Sequence, residues 1–243
     1  MKILLVLLSI FGICVAALLL FLLFVWICGL FVDKTKFYDD FSPFYVFIKN
    51  VLLDLILLFS RVKVELKGAE KLPKDSLYLL VSNHRSLYDP LAVMKAMRGT
   101  ELIFVSKPEN FDIPLGGPIA RRCCFRTIDR ENPRNAIVTI QDCTRLLDEK
   151  VAPVVIYPEG TRSKTGELLP FHDGVFKIAQ HAKVPIVVMT VRNSDAVQKN
   201  APWRSTLITL TIEDVLPAEE ITGVRTAAVG QKVRETMIKS LNQ

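Results

Sequence analysis

Between Lys2 and Asp33 the chain carries no charged side chain. The run from Ile3 to Val32 is almost wholly Leu, Ile, Val, Phe and Ala, and it restricts the fold more than any other stretch. As a helix it would be about 45 Å long at roughly 1.5 Å per residue, against a hydrocarbon core about 30 Å thick. It can therefore cross a bilayer with tilt, or cross and continue into the interface. A secretory leader would have an apolar part of only about 7–15 residues and a small-residue cleavage site. Neither holds, so the expectation is a retained membrane helix.

A second apolar segment follows. Phe44, Phe47, Ile48, Val51, Leu52, Leu55, Leu58 and Phe59 recur at helical spacing, with Lys49, Asn50 and Asp54 on the other side. This reads as a helix lying in the interface, with Phe41, Phe44, Tyr45 and Phe47 at headgroup depth. The competing reading is an ordinary core helix; the neighbouring apolar helix favours membrane contact. Residues 1–60 are thus expected to form a membrane helix plus an interfacial helix, and residues 61–243 a single globular domain.

The net charge of +6 and the pI near 9.1 suit an anionic surface. Basic residues gather at Arg61, Lys63, Lys67, Lys71 and Lys74, just after the interfacial segment, where lipid phosphates are within reach. A second group, Arg121, Arg122, Arg126, Arg130 and Arg134, reads mainly as solvated surface. Nucleic acid is not expected as a partner, because no recognition-module signature is present. Cys14, Cys28, Cys123, Cys124 and Cys143 show neither a disulfide framework nor metal spacing. They read as reduced, mostly buried thiols of a cytoplasmic domain, with no metal and no cofactor implied.

Beyond residue 75 the pattern alternates. Strands are expected at 77–82, 102–105, 154–157, 186–191 and 207–212, and helices at 91–97, 134–148, 175–183 and 225–241. In the helix at 134–148, Asn132-Pro133 supplies the start, and Ala136, Ile140, Cys143 and Leu147 form the buried stripe. Such alternation implies an α/β layer fold with helices on a parallel or mixed sheet.

Two of the strand ends carry chemistry. After the apolar run 77–81 come Asn83, His84, Ser86 and Asp89, with Asp89-Pro90 reading as a helix start. Five residues apart on one helix, His84 and Asp89 would face different ways; in a tight turn they can meet. A carboxylate on one ring nitrogen would fix the tautomer and leave the other nitrogen free to take a proton from a hydroxyl. After the strand at 154–157 come Pro158, Glu159, Gly160, Thr161, Arg162 and Ser163. Gly160 permits a sharp turn or a close approach to a ligand, and Arg162 offers a planar fork suited to phosphate. Taken singly, each is a charged turn.

Together they resemble the glycerolipid acyltransferases of the PlsC type, the 1-acyl-glycerol-3-phosphate acyltransferases. The first motif, Asn-His-x-Ser-x-x-Asp, is matched at Asn83, His84, Ser86 and Asp89. The third, Phe-Pro-Glu-Gly-Thr-Arg-Ser, is matched from Pro158 to Ser163 with Tyr157 in place of Phe. Ile128, Asp129 and Arg130 match the end of the second motif, and Val184 to Met189 the fourth with one proline lost. The resemblance runs from about residue 70 to about 215 in family order. Two departures occur: Phe171-His172-Asp173-Gly174 lacks the usual lysine, and Lys107-Pro108-Glu109-Asn110 matches a Lys-x-Glu-Leu segment except at its last position.

The resemblance implies a mixed sheet flanked by helices, preceded by a two-helix element that docks on the bilayer. It implies transfer of an acyl group from acyl-ACP or acyl-CoA to the sn-2 hydroxyl of lysophosphatidic acid, giving phosphatidic acid at the cytoplasmic face of the cell membrane. His84 would be the base and Asp89 its orienting partner. Arg130 and Arg162, with Lys107, would hold the glycerol phosphate, and Glu159 would position Arg162 or accept from a glycerol hydroxyl, with Gly160 and Thr161 in the same turn. Ser86 is the one nearby nucleophile candidate, but the family pattern treats it as part of the turn. Another lysolipid or glycerol 3-phosphate as acceptor, a membrane lipid hydrolase using the same pair on water, and a non-catalytic adaptor remain alternatives.

Overall fold

In the computed structural model, residues 1–129 and 133–242 are described. In chain order the elements are α1 (Lys2–Leu30), α2 (Pro43–Phe59), β1 (Val62–Lys67), β2 (Leu79–Ser82), α3 (Tyr88–Ala96), β3 (Ile103–Ser106), α4 (Gly116–Arg122), β4 (Arg126–Thr127) and α5 (Pro133–Asp148). Then follow β5 (Val154–Ile156), α6 (Lys177–Ala182), β6 (Ile186–Arg192), α7 (Val197–Asn200), β7 (Thr206–Leu216), α8 (Ala218–Ile221) and α9 (Thr226–Leu241).

The apolar run forms a helix of 29 residues in which Val25 and Gly29 are buried. It is the one helix among the described residues long and apolar enough to cross a membrane, and no residue of its most apolar window is buried. Only its last turns touch the rest of the chain. There Gly29 permits a close approach to α4, since a Cβ at that position would lie 3.2 Å from Pro118 Cγ. Val25 joins Ile48, Ile119 and Cys123 in a small apolar cluster.

α2 departs from the pattern of a soluble amphipathic helix. Its charged residues face the domain: Lys49 Nζ lies 3.1 Å from Glu101, and Asp54 pairs with Lys95 and Arg98. Ile48, Leu53 and Leu57 are buried, whereas Phe44, Phe47, Ile56, Leu58 and Phe59 are exposed.

The seven strands form one mixed sheet in the order β1-β7-β6-β2-β5-β3-β4. All neighbours are parallel except β6 and β7. The central strands are buried on both faces, which explains their unbroken apolar runs. α3 packs with β1 on one face over Leu80, Val155, Val187 and Ile208. α5, α6 and α9 cover Leu79, Val154, Ile156 and Ile186 on the other. The chain leaves the adjacent strands β2 and β5 toward helices on opposite faces, and that divergence opens a crevice beyond their carboxyl ends.

Three expectations are corrected. β1 and the two-residue β4 were not foreseen. The helix expected over 175–183 is a 3-10 turn at Asp173–Phe176 followed by α6. Arg126 does not lie on the solvated surface: it is 2% exposed and pairs with Asp39 and Asp142, while its Nη1 donates to the carbonyls of Tyr38 and Cys124. Arg145 adds a pair to the same two aspartates, so the loop between α1 and α2 is bolted to the domain by buried charge. Cys123, Cys124 and Cys143 are buried free thiols, and burial pushes each up to about 12.

Candidate active site

β2 ends at Ser82, and the chain turns sharply into α3. Asn83 fixes this turn to the neighbouring strand, since its amide side chain bonds both the N–H and the carbonyl of Val191 at 2.7 and 3.0 Å. Asp89-Pro90 was expected to start α3, which would put Asp89 at its N-cap. It lies instead within the first helical turn, fully buried, and its carboxylate reaches back over the loop. A single oxygen, Oδ2, accepts from Arg85 N and Ser86 N at 2.7 Å each and from His84 Nδ1 at 2.8 Å. The two backbone amides fix the carboxylate before it meets the imidazole. Nδ1 must then carry the proton, and Nε2 is left with its lone pair. Nε2 has no hydrogen-bond partner among the described residues, and the side chain is 18% exposed.

Ser86 is 2% exposed, and its hydroxyl accepts from Tyr88 N at 3.2 Å. It is a turn-forming serine, in agreement with its place in the motif.

The turn after β5 holds His84 from the other side. Gly160 adopts φ +74°, which a side chain would strain. Ser163 N donates to the His84 carbonyl at 2.8 Å. Glu159, 3% exposed, accepts from His84 N at 2.6 Å and from Leu169 N at 2.8 Å. Both its oxygens are thus taken by backbone amides. Among the described residues Glu159 makes no ion pair with Arg162; its two bonds clamp the histidine turn to the segment at Leu169. Burial pushes its carboxyl above the usual glutamate range, although the two amide bonds pull the other way. The Tyr157 ring stacks on His84 with centroids 4.4 Å apart and planes at 25°. Its hydroxyl is buried without a partner among the described residues. Burial, and then the nearby Asp89 charge, hold it well above the usual phenol range.

Beside this pair lies an open cleft of about 460 Å³. Its walls are Lys107, Pro108, Glu109, Ile128, Asp129, Glu159, Gly160, Thr161 and His172. Lys107 and Thr161 are exposed along it. Arg162 follows directly, exposed and without an ion pair among the described residues. Arg130 lies outside the described residues. The structure therefore brings Lys107, Gly160 and Thr161 together around one cleft, next to the His84–Asp89 pair. It also adds His172, from the segment where the usual lysine is missing. Between α2, α3 and α4 lies a separate apolar cavity of about 150 Å³, lined among others by Leu53, Ile56, Leu91, Met94, Ile119 and Ala120.

The fold and the sequence have known counterparts. The fold matches the crystal structure of a 1-acyl-sn-glycerophosphate acyltransferase, PlsC, from Thermotoga maritima, with a TM-score of 0.63 at 20% identity over 92% of this chain and 94% of that one. A 1-acyl-sn-glycerol-3-phosphate acyltransferase of Limnanthes alba is 31% identical over 69% of this chain. The human 1-acyl-sn-glycerol-3-phosphate acyltransferase alpha is 29% identical over 79%. The aligned part spans 59% of the Limnanthes protein and 68% of the human one. Residues 63–192, more than half of the chain and including both turns around His84, match the acyltransferase family, and the chain belongs to that family.

Proposed function

We propose that this chain transfers a fatty acyl group from a thioester to the sn-2 hydroxyl of 1-acyl-glycerol 3-phosphate at a membrane surface, yielding phosphatidic acid. The observation that carries the reading is the 2.8 Å contact from His84 Nδ1 to a fully buried Asp89 carboxylate. Nε2 takes the hydroxyl proton as the oxygen attacks the thioester carbonyl. The tetrahedral intermediate collapses with loss of the thiolate, and the imidazolium returns its proton to the sulfur. One C–O bond forms, one C–S bond breaks, and no acyl-enzyme is needed. Asp89 stabilises the imidazolium throughout.

Lys107 and Arg162, with Arg130, supply positive charge for the glycerol phosphate. The apolar cavity between α2, α3 and α4 has the chemistry of a hydrocarbon chain. Relatives named for acylation of 1-acyl-glycerol 3-phosphate support this acceptor. The donor is acyl-ACP or acyl-CoA.

Residues 1–60 form the membrane element of this proposal: α1 spans, and α2 lies in the interface with its phenylalanines outward. Lys34, Lys36, Lys49, Arg61 and Lys63 follow α1, which itself has no charged residue after Lys2. Basic residues following a spanning helix support a catalytic domain on the cytoplasmic face. The testing experiment gives the purified protein both thioesters and a mixture of lyso-acceptors, with products identified by mass spectrometry. Phosphatidic acid should dominate. Release of free fatty acid independent of acceptor would instead establish a hydrolase, and no consumption of thioester would exclude an enzyme of this type.

A further inference from the structure

We infer that the turn at residues 201–205, led by Trp203, is a second membrane contact of the domain, seated on the headgroups of an anionic bilayer. The inference rests on the membrane reading of residues 1–60. Trp203 is 84% exposed, and Leu207 just beyond it is 47% exposed. An indole with an apolar body and one N–H donor suits the bilayer–water boundary.

The segment that flanks this turn comes from far away in the sequence. Thr206 N and Ser205 Oγ both donate to the Arg61 carbonyl, at 3.1 and 3.0 Å. Lys63 stands beside Leu207 in the parallel pairing of β1 with β7. Arg61, Lys63 and Arg204 are all exposed, and they belong to the turn or to the segment bonded beside it. The one acidic neighbour along this face of β1, Glu65, lies 3.6 Å from Lys67. The patch is continuous with the end of α2, where Leu58 is 68% and Phe59 59% exposed. Apolar tips rimmed by lysine and arginine match an anionic lipid surface in charge and in hydropathy.

Its location gives the contact a purpose. β1 and β7 begin at the sheet edge where β2, β5 and β6 end, and His84 follows β2. The end of α2 is tied to the histidine loop by the Ser60 Oγ–Tyr88 Oη hydrogen bond of 2.7 Å. Seating this rim would hold His84 at headgroup level, where a lysolipid hydroxyl lies.

The test uses the full chain with Trp26→Phe, which leaves Trp203 as the single tryptophan, reconstituted in phosphatidylcholine vesicles with and without phosphatidylglycerol. On anionic vesicles Trp203 emission should shift to the blue. Lipids brominated near the headgroup should quench it more than deeply brominated ones, and iodide should quench it poorly. Each basic residue at an anionic surface is worth roughly fivefold in occupancy, so Arg61→Gln with Arg204→Gln should cut the lipid quenching severalfold. Free quenching by iodide without lipid quenching would overturn the inference. So would shielding from both, which would mean a protein partner covers the turn. Acyl transfer is assayed on the same vesicles. An inactive protein with lipid-quenched Trp203 would sink the acyltransferase reading alone, and an active protein without quenching would sink the membrane contact alone.

Discussion

Asp89 concentrates three donors on one oxygen, and two of them are backbone amides of the loop that carries His84. Asp89→Asn keeps the volume but replaces the anion, so the imidazole loses its charge partner while the loop keeps its filler. General acid–base catalysis is worth about 10²–10⁴-fold, and kcat should fall within that range while the protein stays folded. A kcat within about tenfold of the wild type would rule out the orienting role. Glu159 acts through the backbone of the same loop. In Glu159→Gln one side-chain atom becomes an NH₂ facing an N–H, which leaves a buried donor unmatched at about 1–3 kcal/mol. The pH signature is specific. Burial raises the folded pKa of Glu159 above its unfolded value, so the folded state holds this proton more tightly. The favourable contribution is complete below the ordinary glutamate range and is lost as pH rises through the raised folded pKa. Because Asp54 and Asp142 are held low and pull the other way, the contribution shows as a difference: in thermal melts the wild-type advantage over Glu159→Gln should shrink as pH rises through acid, and a difference independent of pH would contradict the assignment. His84 and Asp89 were legible because residue type and a five-residue spacing define the pair. The clamp by Glu159 was not, because it bonds backbone amides of residues 75 and 10 positions away, and backbone donors leave no trace in side-chain identity.

At the scale of elements, the strands that flank the site were legible as short apolar runs, since burial on both faces of a parallel sheet demands them. β1 escaped because Lys63, Glu65 and Lys67 alternate with Val62, Val64 and Leu66, and the charges drew the reading toward a basic surface group. Its half-buried alternation is the period-two signal of an edge strand. β4 is two residues long and carries no periodicity at all. α3 begins one residue before Asp89 because proline is tolerated anywhere in a first turn, where the N–H groups have no helical partner. Arg126 shows the limit most clearly: an arginine among arginines reads as surface, yet two aspartates and three carbonyls make it the anchor of the α1–α2 loop. Arg126→Met should therefore destabilise the fold, since removing one partner of a buried ion pair strands the others. Such losses run to about 3–5 kcal/mol for fully buried pairs, and the half-exposed Asp39 places this one near 3 kcal/mol. Denaturant midpoints would measure it, and a midpoint matching the wild type would mean the pairs contribute nothing net.

At the scale of the whole molecule, the proposed attachment combines an inserted helix with a basic rim, and the two respond differently to salt. An inserted helix is held by hydrocarbon burial, which salt does not weaken. A basic rim is held by charge, which is screened over about 8 Å at physiological ionic strength. The structure dictates where to cut between them. Val25, Gly29 and Val32 are buried against the rest of the chain, so removing the entire apolar run would strip cover from Ile119 and Cys123 and confuse lost anchoring with lost folding. Residues 2–17 touch no core and are exposed throughout. Removing them leaves about 20 Å of helix at roughly 1.5 Å per residue, too short to span, with its packed turns intact. The full chain should remain in membranes through a high-salt wash and leave only with detergent. The shortened chain should still bind anionic vesicles at low salt, through the outward phenylalanines of α2 and the basic residues near the sheet edge, and should be released as salt rises. Its thermal melt should match the full chain, because no buried contact has been removed. Release of the full chain by salt alone would overturn the spanning reading. Retention of the shortened chain at high salt would mean that α2 inserts far more deeply than an interfacial helix does.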